Sequence, residues 1–255
     1  MRDALLRVCG AACVLLVWEA AGRSGLFLDG YLPPPSQVFP QVVHLLGDPE
    51  FLLGVVATVL SWAIGLLIAT VVAVPLGLLL AARPLARAAS RAVVEFLRPI
   101  PTVAMVPLAV VAVGGGPETK IGLTAFAAVW PVLFTTMYAY DEVEPLLVDT
   151  ARAFGLSRSR VALRVALPSV APFVLTGVRL SAAIALSVLV GVEMLTGTSG
   201  GIGEFILLAS SGATRMDRVL AAVVVAGVLG YLINEGLERA QVRWFGWQDS
   251  EVAAR

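Results

Sequence analysis

Few residues of this 255-residue chain have the type and spacing for bond-making chemistry, and those few lack partners. Gly197-Thr198-Ser199-Gly200 has the G-x-S-G pattern of an intramembrane serine nucleophile. Such a serine needs a base within hydrogen-bond reach, and the single histidine, His44, stands near the opposite end of the chain. Its own spacing makes His44 a wet residue of an interfacial helix. Gly114-Gly115-Gly116-Pro117-Glu118-Thr119-Lys120 clusters glycines with a lysine, but not in the G-K-[ST] order that cradles nucleotide phosphates, so it reads as a turn. Cys9 and Cys13 are one helical turn apart inside an apolar run, with no second pair or histidine to complete a metal site. They read as packed or lipid-facing small residues. No catalytic, cofactor-binding or metal-ligating set emerges.

Transport chemistry has better candidates. Pro99, Pro101 and Pro107 interrupt the apolar run Val93–Val113. Proline removes a helix donor, which is tolerable at membrane depth only where neighbouring helices or a wet cavity satisfy the freed carbonyls, and interrupted spans point to a transport pathway. The alternative is that Pro99 and Pro101 precede the helix and only Pro107 kinks it. Glu19, Glu95, Arg98, Arg179 and Glu193 are the ionisable groups of the spans, all near span ends where side chains snorkel. Glu193 precedes a glycine-rich loop and either hydrogen-bonds to that loop or touches the solute. Pro101, Pro107, Arg179 and Glu193 are thus the pathway candidates. An ion-coupled secondary transporter would need ionisable groups deep in its spans and, usually, repeated halves.

The elements that position these residues are membrane spans. The chain is 58% hydrophobic and only 14% charged, against roughly 45–50% and about 25% for a soluble domain, and its mean hydropathy is +0.90. At about 20 apolar residues per crossing, six spans are expected: Ala4–Ala21, Val55–Ala82, Val93–Val113, Ile121–Tyr140, Ala171–Leu195 and Met216–Leu237. The first is an uncleaved helix rather than a signal peptide, because no small-residue cleavage pattern follows Val17-Trp18-Glu19. No soluble domain interrupts residues 1–255, which form one transmembrane domain. With the N-terminus in the cytoplasm, Arg2, Arg7, Arg83, Arg87, Arg91, Arg152, Arg158, Arg160, Arg164, Arg239, Arg243 and Arg255 lie inside. Only Arg23, Lys120, Arg215 and Arg218 lie outside. That asymmetry obeys the positive-inside rule and puts both termini in the cytoplasm. Zero net charge argues against nucleic acid. Between the first two spans, Pro33-Pro34-Pro35-Ser36 precedes a stripe of Val38, Phe39, Val42, Val43, Leu45 and Leu46; Ser36 is its expected cap and the interface its expected place.

The inside segment 141–168 does not look like a passive connector. Pro145 suits a helix start, and Leu147, Val148, Ala151 and Phe154 share a face at helical spacing. Gly155 can end that helix with positive φ, and Ser157 can cap a second. Two short helices at an angle, bearing apolar side chains beside arginines, could sit in a groove on another protein; a plain amphipathic loop on the membrane surface is the alternative.

This segment resembles the E-A-A-x3-G-x9-I-x-L-P signature of ATP-binding-cassette importer permeases. Asp149-Thr150-Ala151, three residues, Gly155, nine residues and Val165-Ala166-Leu167-Pro168 keep its spacing, with Asp149, Thr150 and Val165 replacing Glu, Ala and Ile. Leu32 through Ser36, Pro75-Leu76-Gly77, Arg98-Pro99-Ile100-Pro101 and Pro107-Leu108 carry the likeness toward the nitrate, sulfonate and taurine permease group. So do Lys120-Ile121, Thr176 through Leu180, Glu193-Met194 and Ser199 through Gly203. Trp62 stands where members often have an arginine. The resemblance implies an all-α, six-helix type I importer permease of the bacterial plasma membrane, passing a small anionic or zwitterionic solute. It also implies two such permeases (a homodimer is expected), two cytoplasmic ATPase subunits and an external binding protein. Asp149, Thr150, Ala151, Gly155, Leu156, Leu167 and Pro168 would form the coupling segment seated on the ATPase.

Overall fold

The structure is a computed structural model and describes residues 2–26, 31–97, 99–197, 200–211 and 215–245. All regular elements among these residues are helical: α1 (Arg2–Arg23), α2 (Pro35–Leu46), α3 (Pro49–Ala81), α4 (Pro84–Leu97), α5 (Val106–Val113), α6 (Pro117–Asp141), α7 (Pro145–Ala153), α8 (Arg158–Val161), α9 (Leu167–Thr196), α10 (Ile202–Ser210) and α11 (Met216–Phe245). A 3₁₀ turn, Thr102–Met105, leads into α5, and a π-helical stretch, Ala162–Ala166, joins α8 to α9. Arg98, Thr198 and Ser199, each part of a sequence motif, lie outside the described residues, as do residues 246–255.

Among the described residues, α3, α6, α9 with its lead-in from Leu163, and α11 are long and apolar enough to cross a membrane. The 33 residues of α3 reach about 50 Å at 1.5 Å per residue, more than a hydrocarbon core of roughly 30 Å requires. Their outward residues are apolar: Leu53, Leu60, Leu67, Val71 and Leu79 of α3 are all exposed. Leu6, Val8, Val14, Leu16 and Val17 give the 22-residue α1 the same character.

The stretch expected as one span, Val93–Val113, is two elements. The described parts of α4 and α5 bend by 76° across a break that contains Pro99 and Pro101. Pro107 does not kink a helix. It lies in the first turn of α5, where a missing N–H costs nothing because first-turn donors have no intrahelical partner. Lys120, expected in an outer loop, is in the first turn of α6 and only 1% exposed.

The described chain divides into two compact units, Met1–Val59 with Glu193–Leu229, and Leu60–Val192 with Gly230–Arg255. In the second, small residues let backbones approach. A Cβ on Gly65 or Gly77 would meet the Thr124 or Thr136 side chain of α6, and one on Gly177 would meet Thr135. Ala69, Ala128, Ala182 and Ala185 fill the same seam between α3, α6 and α9. Without a hydrophobic drive between helices in lipid, such contacts and interhelical hydrogen bonds supply the cohesion. Trp62 Nε1 donates to the Ala182 carbonyl (2.9 Å), and Ser181 Oγ donates to that of Ala128 (2.7 Å).

In the first unit Ser36 is not the cap of α2. That helix starts at Pro35 after Pro34, because proline at the first position needs no donor partner. Ser36, inside the first turn, instead donates its N–H (3.1 Å) and Oγ–H (2.8 Å) to the Glu19 carboxylate of α1.

Candidate functional site

Segment 141–168 is built by local rules. Pro145 opens α7, which ends at Phe154. Gly155 follows with φ +78°, a conformation that strains any residue with a Cβ. Its N–H reaches the Arg152 carbonyl (2.9 Å) and the Leu156 N–H reaches that of Ala151 (3.2 Å). This pair of bonds is a Schellman cap, which satisfies carbonyls a helix end leaves open. The Val161 N–H bonds the Ser157 carbonyl (2.9 Å) at the start of α8, so the expected glycine stop and second helix are both present. The second helix, however, does not stand alone. It passes through the π-helical stretch into α9. Pro168, the second residue of α9, has no N–H for the Arg164 carbonyl four residues back, which is the kind of lost bond that widens a ladder here.

Asp149 and Thr150 are exposed, Ala151, Leu156 and Leu167 half-buried, and Gly155 and Pro168 exposed. Asp149 has Arg152 one turn away at 3.7 Å with its side chain 72% exposed, so this pair fixes little. Phe154 is 81% exposed, and Leu146, Leu147 and Leu163 are exposed around it. Exposed apolar side chains gathered on one short segment are the kind of surface that can take a partner.

Glu193 sits in the opposite kind of environment. It is fully buried near the end of α9. Thr58 Oγ1 of α3 lies 3.1 and 3.0 Å from its two carboxylate oxygens, and the Gly203 N–H donates to Oε2 at 3.1 Å. Thr58 Oγ1 in turn accepts from the Ile202 N–H at 3.0 Å. The acid and Thr58 between them therefore satisfy the first two donors of α10, where a helix dipole favours negative charge. Gly201, at φ +140°, has no space for a Cβ because the Glu193 carboxylate occupies it, and the backbone of Gly201 packs on Gly54. Of the two sequence readings of Glu193, the hydrogen-bonded loop matches this geometry. Thr58 and Gly203 carried no sequence signal for the role.

The broken segment borders a cavity of about 430 Å³. Ile100 and Thr102 of the break, Trp130, Pro131, Phe134, Thr135 and Tyr138 of α6, and Leu180, Ile184 and Val188 of α9 line it. The lining has hydroxyls and aromatic rings but no charge. Pro101 precedes the 3₁₀ turn that begins at Thr102. The Trp130 Nε1 is buried with no hydrogen-bond partner among the described residues. Arg179 is not part of this lining. Its guanidinium donates to Glu238 (2.7 Å) and Gln241 (2.9 Å) of α11.

Residues 73–243 match the family described as binding-protein-dependent transport system inner membrane component. The chain is 28% identical over 251 residues to the taurine transport system permease protein TauC of Escherichia coli (strain K12), covering 96% of this chain and 90% of that protein. It is 27% identical over 250 residues to the bicarbonate transport system permease protein CmpB of Synechocystis sp. (strain ATCC 27184 / PCC 6803 / Kazusa), covering 94% and 88%. In fold it resembles the inward-facing MetNI methionine ABC transporter with a TM-score of 0.63 at 21% identity, over 74% of this chain and 94% of that one.

Proposed function

The chain belongs to the binding-protein-dependent transport system inner membrane components and is a multi-pass permease of an ATP-binding-cassette importer; from that premise we propose how it couples and what it carries. Residues 1–255 act as one permease domain, a reading supported by the uninterrupted family match over 73–243. Two copies of the chain pair with two cytoplasmic ATPase subunits and receive solute from an external binding protein. α1 is the sixth span, the arginine asymmetry fixes both termini in the cytoplasm, and lipid covers the exposed apolar faces.

The observation that carries the mechanism is the Schellman-capped α7 with Phe154 outside it. Asp149, Thr150, Ala151, Gly155 and Leu156 form the element that enters the ATPase groove. Leu167 and Pro168 lie where the segment becomes α9, so a push on α7 passes through the Gly155 turn to α8, which runs through the π-helical stretch into a span. ATP binding and hydrolysis take place in the partner subunits and drive alternation between outward-open and inward-open states.

The cavity at the break between α4 and the Thr102–Met105 turn is the passage. A neutral, aromatic lining holds a small oxyanion weakly enough to let it go, which leaves selection to the binding protein. Taurine and bicarbonate, named for the relatives, bracket the solute class: small, anionic or zwitterionic. Glu193 serves this path indirectly, by holding α10, and Arg179 by tying α9 to α11.

Gly155→Leu tests the assignment. The loop is outside the bilayer, so membrane level should be unchanged, while strain at φ +78° and a side chain at the contact should abolish both ATPase co-purification and transport. Equal recovery of ATPase and equal transport at matched membrane levels would make segment 141–168 an ordinary surface loop.

A further inference from the structure

A second cavity, of about 740 Å³, lies within the first unit, between the start of α3, the helix α10 and the start of α11. The Phe51 and Phe205 rings, in edge-to-face contact at 4.9 Å between centroids, give it an apolar wall, continued by Leu208. Its polar lining is Asp48, Glu50, Glu204, Arg215 and Arg218.

By count the carboxylates outnumber the guanidiniums, but they are differently engaged. Asp48 accepts the Glu50 N–H at 3.0 Å as the cap of α3, and Glu204 accepts the Gly200 N–H at 2.5 Å. Glu50, in the first turn of α3, is exposed to solvent and faces the positive end of that helix's dipole. The arginines have the reverse situation. Arg215 immediately precedes α11 and Arg218 lies in its first turn, so both sit at the positive end of a 30-residue helix, where cations are disfavoured. Among the described residues Arg215 pairs with Asp217 alone, at 3.6 Å. Arg218 forms no ion pair among the described residues, and its Nε is buried without a hydrogen-bond partner. A desolvated guanidinium donor left open is costly, and an oxyanion is the group whose geometry fits its planar fork.

We infer that this cavity binds a small organic oxyanion, its charged group on Arg218 and Arg215 and its apolar part against Phe51, Phe205 and Leu208. The inference stands on this unit's geometry alone. Combined with the orientation proposed above, it places an anion site on the external face, next to the helix α10 that Glu193 holds. The oxyanion has two sources, a free solute or a lipid headgroup, and one experiment separates them.

The permease–ATPase complex, carrying Ala209→Cys in the cavity lining with Cys9→Ala and Cys13→Ala, is placed in phosphatidylcholine nanodiscs, which leave both faces open, and its labelling by N-ethylmaleimide is timed. 1-Hexanesulfonate should slow labelling, while 1-hexanol and hexylamine should not. Arg218→Gln should weaken that protection roughly tenfold in sulfonate concentration, the loss of one charge-assisted hydrogen bond, and Arg218→Lys should restore part of it. If adding phosphatidylglycerol to the discs slows labelling without sulfonate, and Arg218→Gln reverses this, the site stands with lipid as its occupant. Protection by hexylamine equal to that by hexanesulfonate, protection indifferent to Arg218→Gln, or no protection by either anion overturns the inference. Because no ATP turnover or transport is read, these outcomes are independent of the coupling assignment.

Discussion

The proposed coupling segment and the Glu193 cluster are both short, polar and close to helix ends, yet they are finished to opposite degrees. Around Glu193 donors and acceptors meet inside the fold: hydroxyl, two backbone N–H groups and a carboxylate, all sealed from solvent. On α7 the backbone is capped, but Phe154, Leu146, Leu147 and Asp149 face outward. A buried polar group must be satisfied within its own chain or destabilise it. An exposed apolar one can wait for another chain. The first cluster therefore bears on the stability of this chain, and the second on association.

Substitutions can break that contrast or sharpen it. The largest effect is expected from Glu193→Ala, which leaves the Gly203 N–H and the Thr58 hydroxyl without their acceptor. At roughly 1–3 kcal/mol per stranded group, the loss should reach about 3–5 kcal/mol. Thermal unfolding of the detergent-purified chain should show it before any partner is added. A stability equal to wild type would mean that the cluster is dispensable to the fold.

Phe154→Ala should do the reverse. Little stability should change, since the ring touches mostly solvent, but ATPase affinity should fall by about 1.5–3 kcal/mol, the value of burying a Phe side chain against a partner. Titrating purified ATPase against both proteins measures it. A drop in unfolding temperature with unchanged affinity would place Phe154 in the fold's own packing and erase the contrast.

Asp149→Ala is the smallest. An exposed pair at 3.7 Å contributes under about 0.5 kcal/mol to stability, so unfolding should be indistinguishable from wild type. A change confined to ATPase stimulation would sharpen the assignment, because only a partner contact would then be missing.

How much of this was legible in the sequence follows from the range of each interaction. The apolar runs gave the helices that became α3, α6, α9 and α11, since each residue's transfer into lipid is settled by its own side chain. Pro145 and Gly155 marked the ends of α7 because φ restriction acts on a single residue, and the signature spacing placed the segment before α9. Proline chemistry flagged the 99–107 region, but one kinked span and two separate elements have the same hydropathy, so only the structure divided α4 from α5 and set Pro107 in a helix start.

The rest depended on residues distant in the chain. Thr58 meets Glu193 across 135 positions and Ile202 across 144, and no local pattern encodes either meeting. The same holds for Trp62 on the Ala182 carbonyl, Arg179 on Glu238 and the arginines gathered beside Phe51 and Phe205. The sequence alone determined that this chain is a bundle of membrane helices with a proline-opened, glycine-ended helix before α9, because hydropathy and backbone restriction are properties of one residue and its near neighbours. Which buried polar groups satisfy one another, and which cavities remain between them, was decided by tertiary packing, since a hydrogen bond selects its partner by position in space.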